Sequence, residues 1–261
     1  MRRLIPAVLA LSLLAGTAPR AGAQAVRSGF LSTPMARGDD NYAPSDYGFD
    51  INFYGFTSNA GEVCTNGYVI LNFFAPSTVN CGYPGPLAGG DPPSIPNLAN
   101  LRSFYGSTMA PNFTDFNTAA TGSGTIDIGA GLVNGKQSWA ATWNGVLGAN
   151  GATATTPSFF QLVLTSLNSS GDFIMEYNYD FMAAGTEGGI GYTVDTAGIA
   201  TFAAAGVTEP DDTRISCTFI AGRPTCDTSL VVTPEPASLV LMGTGLLGVL
   251  GFGYRRRRSA L

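Results

Sequence analysis

The sequence predicts an all-β fold, a sandwich-like domain of two sheets, followed by a single C-terminal transmembrane helix. Three observations lead to this prediction. Period-two alternation of apolar and polar residues recurs along the middle of the chain. The composition is rich in turn formers, with 34 Gly and 16 Pro in 261 residues, and 11% of the residues are aromatic. No central stretch shows a sustained 3.6-residue period with caps at both ends, and no repeat of fixed length is evident.

The clearest strand is the segment GDFIMEYNYDFM at residues 171–182. Its odd positions are apolar and predict a buried face: Phe173, Met175, Tyr177, Tyr179 and Phe181. Its even positions form the opposite face: Ile174, Glu176, Asn178 and Asp180. A second strand, SFFQLVLTSL at residues 158–167, precedes it, and the short polar segment 168–172 predicts a hairpin loop between the two.

Other segments complete the predicted set of elements. A loop is expected at residues 84–96, which contain five prolines, and a short helical turn at residues 98–105. Further strands are expected at residues 49–56, 67–74, 124–133, 137–146, 188–195, 200–206, 213–221 and 229–233. Since strands dominate and helices are short, two packed antiparallel sheets are the simplest architecture.

The first 25 residues have the order of a secretory signal peptide. Arg2 and Arg3 form a positive start, residues 4–15 are apolar, and small residues follow. Cleavage is expected after Ala23 or after Ala25. The alternative, an N-terminal transmembrane helix, needs a longer apolar run of about 20 residues.

Charge restricts the partners of the central body, residues 26–233. It carries seventeen acidic side chains against six basic ones, an excess of eleven negative charges. Such a surface repels phosphate backbones, so nucleic acid is not an expected partner. The body has a size that suits one β-domain with its own core.

The four cysteines, Cys64, Cys81, Cys217 and Cys226, predict disulfides because an even count in an exported chain is typical of them. Three pairings are open. The pairing that closes the shortest loops, Cys64 with Cys81 and Cys217 with Cys226, is the one we expect. Free thiols or a metal site are the alternatives, but the spacing lacks a C-x-x-C pair and the chain has no histidine.

The absence of histidine removes catalytic triads that contain histidine and every histidine-ligated metal site. Paired carboxylates remain as the basis for a hydrolase. The candidate pairs are Asp39 with Asp40, Asp211 with Asp212, and Glu176 with Asp180. Acidic residues in turns are usually solvated, so we expect no enzyme, no catalytic residue and no cofactor. Calcium stays open at the Asp-rich loops, without assigned ligands.

Two tryptophans, Trp139 and Trp143, are four residues apart on a predicted strand and therefore share a face. Core packing is the favoured interpretation. A sugar-stacking platform, as in a carbohydrate-binding module, is the alternative, and exposed coplanar rings would be its sign.

The C-terminal tail contains an uncharged run at residues 237–254, directly before four arginines. As a helix these 18 residues span about 27 Å, enough to cross a bilayer. Arginines stay on the cytoplasmic side, so the body would lie outside, in agreement with the signal peptide. The residues that set this orientation are Arg255, Arg256, Arg257 and Arg258.

The tail, residues 234–261, resembles a PEP-CTERM sorting signal. That signal combines a Pro-Glu-Pro motif, here Pro234, Glu235 and Pro236, with an apolar helix and a terminal arginine cluster, in this order. The resemblance implies a Gram-negative bacterium that makes exopolysaccharide. It also implies that an exosortase, a membrane enzyme, cuts near the motif, so the tail would be a transient membrane anchor.

The body resembles a nidogen-type (NIDO) extracellular domain over about residues 46–194. The segments that carry the resemblance include YGFDINFYG, CTNGYVILNF, MAPNFTDFNT and SWAATWNGV. The matching positions are Asn66, Gly67, Tyr68, Ala110, Pro111, Asp115, Trp143, Val146, Phe160 and Gln161. The family occurs in extracellular-matrix and adhesion proteins, which implies a binding or structural role.

These observations predict an exported surface or extracellular-matrix protein with an adhesive or exopolysaccharide-associated role. Its expected partners are the exosortase, the membrane during sorting, and exopolysaccharide or matrix proteins. A carbohydrate-binding module and a small carboxylate-dependent hydrolase are the alternatives.

Overall fold

The structure is a computed structural model that describes residues 25–71, 81, 98–148, 156–183, 188–194, 198–203 and 213–227. Several predicted features lie outside these residues: most of the signal peptide, the loop at 84–96, the strand at 229–233 and the whole tail from 234. Within the described part, no helix is long and apolar enough to cross a membrane. The predicted transmembrane helix at 237–254 falls outside it.

Thirteen strands and one helix form within the described residues. In chain order they are β1 (Leu31–Pro34), β2 (Tyr42–Phe53), β3 (Phe56–Cys64), β4 (Tyr68–Ile70), α1 (Leu98–Tyr105), β5 (Thr108–Phe113), β6 (Thr125–Val133), β7 (Lys136–Val146), β8 (Ser158–Ser166), β9 (Phe173–Phe181), β10 (Gly189–Val194), β11 (Gly198–Ala203), β12 (Thr213–Ile220) and β13 (Arg223–Asp227).

The strands form two sheets. A seven-stranded sheet has the order β1-β6-β7-β8-β9-β12-β13, and a six-stranded sheet has the order β11-β10-β5-β4-β3-β2. Every strand pairing is antiparallel. The all-β, sandwich-like prediction is therefore confirmed for this part of the chain.

The main core lies between the two sheets and is rich in aromatic side chains. Trp143 of β7 stacks on Phe160 of β8 with ring centroids 5.0 Å apart, and Phe173 stacks on Phe219 at 4.5 Å. Contacts of this kind add to the free energy gained by burying the rings. The predicted buried face of β9 is confirmed from Phe173 to Tyr179, whereas Phe181, at the strand end, is 37% exposed.

Among the described residues, four aromatic side chains connect the two sheets by hydrogen bonds. All four belong to strands of the seven-stranded sheet. The Trp139 indole N–H donates to Ser45 Oγ at 2.8 Å, and that of Trp143 donates to the Thr65 carbonyl at 3.0 Å. The hydroxyl groups of Tyr177 and Tyr179 donate to the carbonyls of Gly191 and Pro111, both at 2.6 Å. We call these four side chains the inter-sheet donors.

A smaller core covers the outer side of the six-stranded sheet. Helix α1 packs Leu98 and Leu101 there against Ile70, Ala110 and Phe113. The predicted helical turn at residues 98–105 is confirmed with the same bounds.

The predicted single strand at residues 49–56 is wrong. The chain reverses at Tyr54 and Gly55, and Phe53 pairs with Phe56 across a hairpin of β2 and β3. Both turn residues have positive φ angles, 56° for Tyr54 and 86° for Gly55, as a two-residue hairpin turn requires. Asn52 Oδ1 supports the turn by accepting from the Gly55 N–H at 2.9 Å. A tyrosine at a positive φ is uncommon, so the usual turn signal was missing.

Both disulfides have the expected pairing. Cys64 at the end of β3 is bonded to Cys81, and Cys217 of β12 is bonded to Cys226 of β13. Cys217 and Cys226 are directly opposite in the antiparallel ladder, so the bond closes the last hairpin of the described fold. The β8–β9 hairpin is confirmed as well, with Ser166 opposite Phe173.

Gly67 lies in the turn between β3 and β4 and tests how closely this turn packs against β5. Its φ is +77°, and a Cβ at this position would lie 1.8 Å from the Asn112 backbone oxygen. Gly67→Ala should therefore reduce the free energy of unfolding by more than about 3 kcal/mol, since backbone overlap adds to φ strain. Urea denaturation of the purified protein measures this loss.

Gly122 is the matched control for Gly67. It has φ +85° with open space around the Cβ position. Gly122→Ala should cost only about 1 kcal/mol, the strain of the backbone alone. Equal losses for the two variants would contradict the packing described at Gly67.

Candidate functional site

Three carboxylates form a cluster at one end of the six-stranded sheet. One oxygen each of Asp39, Asp40 and Asp115 lies within 4.8 Å of the others. Asp39 and Asp40 precede β2, and Asp115 follows β5. The sequence offered Asp39 and Asp40 as a pair, and the fold adds Asp115 from a distant part of the chain. We call these three residues the carboxylate cluster.

Asn66 is the side chain that holds the cluster together, and it is fully buried. Its Nδ2 donates to Asp40 Oδ1 at 2.9 Å and to the Cys81 carbonyl at 3.1 Å. Its Oδ1 accepts from the Phe116 N–H at 2.9 Å. One amide therefore joins the segment before β2, the first disulfide and the segment after β5. The sequence indicated Asn66 only as a position of the NIDO resemblance, and nothing in its local pattern predicts this role.

Further hydrogen bonds fix the segment that carries Asp39 and Asp40. The Gly38 N–H donates to Thr118 Oγ1 at 2.9 Å, and the Thr118 N–H donates back to the Gly38 carbonyl at 2.9 Å. The Asn41 N–H donates to Thr65 Oγ1 at 2.7 Å. The two acidic residues are thus held on both sides, while their own side chains stay exposed.

Mutual repulsion and burial disfavour three negative charges in the cluster. Burial, together with the charges of Asp39 and Asp40, raises the pKa of Asp115 to about 6. Burial and the neighbouring Asp40 also raise the pKa of Asp39. A bound proton or a hard cation would relieve this repulsion, and carboxylate oxygens are suitable for either.

Glu176 and Asp180, the carboxylate pair predicted on β9, are not arranged as a hydrolase site. They are four residues apart on one strand face, a spacing of about 13 Å along the strand, beyond the separations that glycosidases use. Each is already engaged: Glu176 pairs with Arg27 at 2.6 Å, and Asp180 Oδ1 accepts from the Val26 N–H at 2.7 Å. The third predicted pair, Asp211 with Asp212, lies outside the described residues.

The two tryptophans belong to the core. Trp139 is 1% exposed and Trp143 is fully buried, so neither presents a ring for stacking on a sugar. The core interpretation of these residues is confirmed, and the sugar-platform alternative is wrong for them.

The raised pKa of Asp115 makes stability depend on pH. The folded-state pKa of about 6 lies above the value of about 4 for an unfolded aspartate. Stability from this group is therefore fully present below pH ~4 and is lost as pH rises through 6. Asp115→Asn should remove that loss and stabilise the fold at pH 7 by about 1 kcal/mol, after discounting for the exposed half of the group.

Thermal unfolding of both proteins between pH 4 and pH 8 measures this effect. Asp172→Asn is the control of opposite sign, because hydrogen bonds from Asn168 and from the Ala221 N–H lower the pKa of Asp172. That variant should lose stability at pH 7. Parallel pH profiles for wild type and Asp115→Asn would contradict the repulsion in the cluster.

Calcium titration of the same proteins tests whether the cluster also binds a cation.

Comparison with known proteins gives one match. Residues 232–258 match the family model described as the PEP-CTERM protein-sorting motif. No curated protein and no solved structure matches the chain. The motif includes Pro234, Glu235 and Pro236 and the arginines 255–258, none of which is among the described residues. It implies processing by an exosortase and export through the membrane to the cell envelope or surface.

Proposed function

We propose that the chain is a surface or extracellular-matrix protein of a Gram-negative bacterium with an adhesive or exopolysaccharide-associated binding role. The sorting motif at residues 232–258 is the observation that carries the proposal. The tail holds the protein in the membrane until an exosortase cuts it, and the folded body then acts at the cell surface or in the matrix.

The composition of the body supports a role outside the cell. It folds as a two-sheet sandwich closed by two disulfides, and such bonds persist in oxidising compartments. Its excess of acidic residues favours partners that are neutral or cationic, such as polysaccharide with bridging cations. We assign no catalytic role to it.

The packing also supports a NIDO-like domain. The segments that carry the resemblance meet in the described core: Trp143 stacks on Phe160 and donates to Thr65, next to the Asn66-Gly67 turn. Pro111 of β5 accepts a hydrogen bond from Tyr179. Several positions that carry the resemblance therefore pack together in the described core.

The two alternative functions have less support than the binding role among the described residues. The carboxylate cluster is the one accessible group of facing carboxylates there that a hydrolase could use, and no substrate is assigned to it. A carbohydrate-binding module would use exposed aromatic rings, and Trp139 and Trp143 are buried. A carboxylate hydrolase would use an accessible facing pair, and Glu176 and Asp180 are already engaged by the N-terminal segment.

Replacement of the sorting motif tests the sorting step. Changing Pro234, Glu235 and Pro236 together to alanine should leave uncut, membrane-held protein in a host that contains an exosortase. Immunoblotting of membrane and extracellular fractions measures this. The matched control changes residues 228–230, which precede the matched motif, to alanine and should be processed as wild type. Normal processing of the motif variant would refute the sorting proposal.

Binding to polysaccharide tests the role of the body. The exported protein should cosediment with exopolysaccharide purified from its own host. If the polysaccharide is acidic, added calcium should strengthen this binding and a chelator should weaken it, because calcium bridges two negatively charged partners. Equal recovery in the supernatant with and without polysaccharide would contradict the proposal.

A further inference from the structure

The outer face of the seven-stranded sheet is buried although no further layer of secondary structure covers it in the described chain. Ala140 and Val163, on the side of β7 and β8 that faces away from the main core, are 1% and 0% exposed. Gln161, Asn178 and Glu176 lie on the same face and are 1%, 0% and 7% exposed. This face contains both apolar and polar side chains. A segment that covers it must therefore exclude water from the apolar side chains and also form hydrogen bonds with the polar ones.

The cover is the N-terminal segment Ala25 to Phe30, which we call the strap. Phe30 packs against Val133, Ala140 and Val163. Gly131 of β6 provides the room for this contact, because a Cβ there would lie 2.8 Å from the Phe30 ring.

The strap backbone is recognised at three consecutive residues. Gln161 makes a paired contact with Arg27: its Oε1 accepts from the Arg27 N–H at 2.9 Å, and its Nε2 donates to the Arg27 carbonyl at 3.1 Å. The Val26 N–H donates to Asp180 Oδ1 at 2.7 Å. The Ala25 carbonyl accepts from Arg214 Nη2 at 3.4 Å. The Gln161 side-chain amide thus binds the N–H and the C=O of the same residue, as a residue of a neighbouring antiparallel strand would.

The strap side chain that enters this surface is Arg27. Its Nε and Nη2 donate to the two oxygens of Glu176 at 2.6 and 2.8 Å, a bidentate geometry that lysine cannot reproduce. Arg214 lies 3.9 Å from the same carboxylate and donates to Asn178 Oδ1 at 2.7 Å. Glu176 is therefore placed as a specific receptor for one guanidinium.

Polar side chains of the sheet hydrogen-bond to one another, and these bonds do not involve the strap. Thr142, Gln161, Asn178 and Arg214 are in register on four adjacent strands. Asn178 Nδ2 donates to Gln161 Oε1 at 3.2 Å, and Gln161 Nε2 donates to Thr142 Oγ1 at 2.8 Å. Such preorganisation reduces the entropic cost of binding an extended segment.

We propose that this face is a binding site for an extended polypeptide segment with arginine at its third position, and that the strap is its occupant within the chain. Every hydrogen bond and ion pair of the strap described above goes to residues at least 134 positions away in the sequence. The strap itself forms neither strand nor helix, so it can leave the sheet without breaking an element of secondary structure, and a segment of the same chemistry can take its place.

Displacement in the full chain tests the proposal. Arg27→Ala weakens the strap's hold while leaving Glu176 and Gln161 intact. The acetylated peptide AVRSGF, which has the sequence of residues 25–30, should then bind the variant at least tenfold more tightly than wild type, where the strap competes. Fluorescence anisotropy with labelled peptide, up to about 1 mM, measures this.

Two matched controls identify the receptor. The double variant Arg27→Ala/Glu176→Gln should lose at least tenfold in affinity for the peptide, and so should a peptide with Arg27→Lys. Near-UV circular dichroism confirms that each variant keeps its core. A folded Arg27→Ala variant that binds the peptide no better than wild type would overturn the proposal, as would equal binding of the Arg27→Lys peptide.

A second variant covers the case in which Arg27→Ala does not fold. Gly131→Ala crowds Phe30 and leaves all the polar groups of the site unchanged. Hydrogen exchange of the strap amides should become faster in this variant, and faster still when AVRSGF is added, because the peptide takes the place of the strap. A further Glu176→Gln change should abolish the effect of the peptide. Unchanged exchange in the folded Gly131→Ala protein would refute an exchangeable strap.

Discussion

The inter-sheet donors are the constraint on which the rest of the fold depends. Each of them buries a large ring between the sheets and donates one N–H or O–H to an oxygen of the six-stranded sheet or of its β3–β4 turn. The four residues are Trp139, Trp143, Tyr177 and Tyr179. A purely apolar interface would tolerate sliding of one sheet on the other. Here a shift would leave buried donors without acceptors, at a cost of about 1–3 kcal/mol for each. The four bonds therefore fix the alignment of the two sheets.

That alignment brings the acidic residues together. Trp143 donates to the carbonyl of Thr65, which is next to Asn66, and Asn66 in turn holds Asp40, Cys81 and Phe116. The carboxylate cluster thus lies at the end of a chain of contacts that begins in the core. The exposed charges of Asp39 and Asp40 and the half-buried charge of Asp115 are close because Asn66 binds both Asp40 and the backbone of Phe116, the residue after Asp115.

The sequence is informative where periodicity or spacing decides the structure. The alternation in β9, the helix α1 and both disulfides follow from local pattern or from loop length, and the structure has them as expected. Contacts between distant segments carry no such pattern. Asp115 joins Asp39 from 76 positions away, and the strap meets β8 and β9 across more than 130 residues. The Tyr54–Gly55 turn was missed for a local reason, since a tyrosine there gives no turn signal.

The bond between Cys217 and Cys226 has a mechanical consequence. Strand β13 ends at Asp227, one residue after Cys226, so tension applied at the C-terminal end of this strand reaches the disulfide after one residue. An edge strand held by hydrogen bonds alone would peel off one bond at a time under such a load. Here the covalent link passes the force across β13 into β12, which is paired on both sides with β9 and β13. A pull on the end of β13 therefore loads a strand inside the sheet, where several hydrogen bonds resist together.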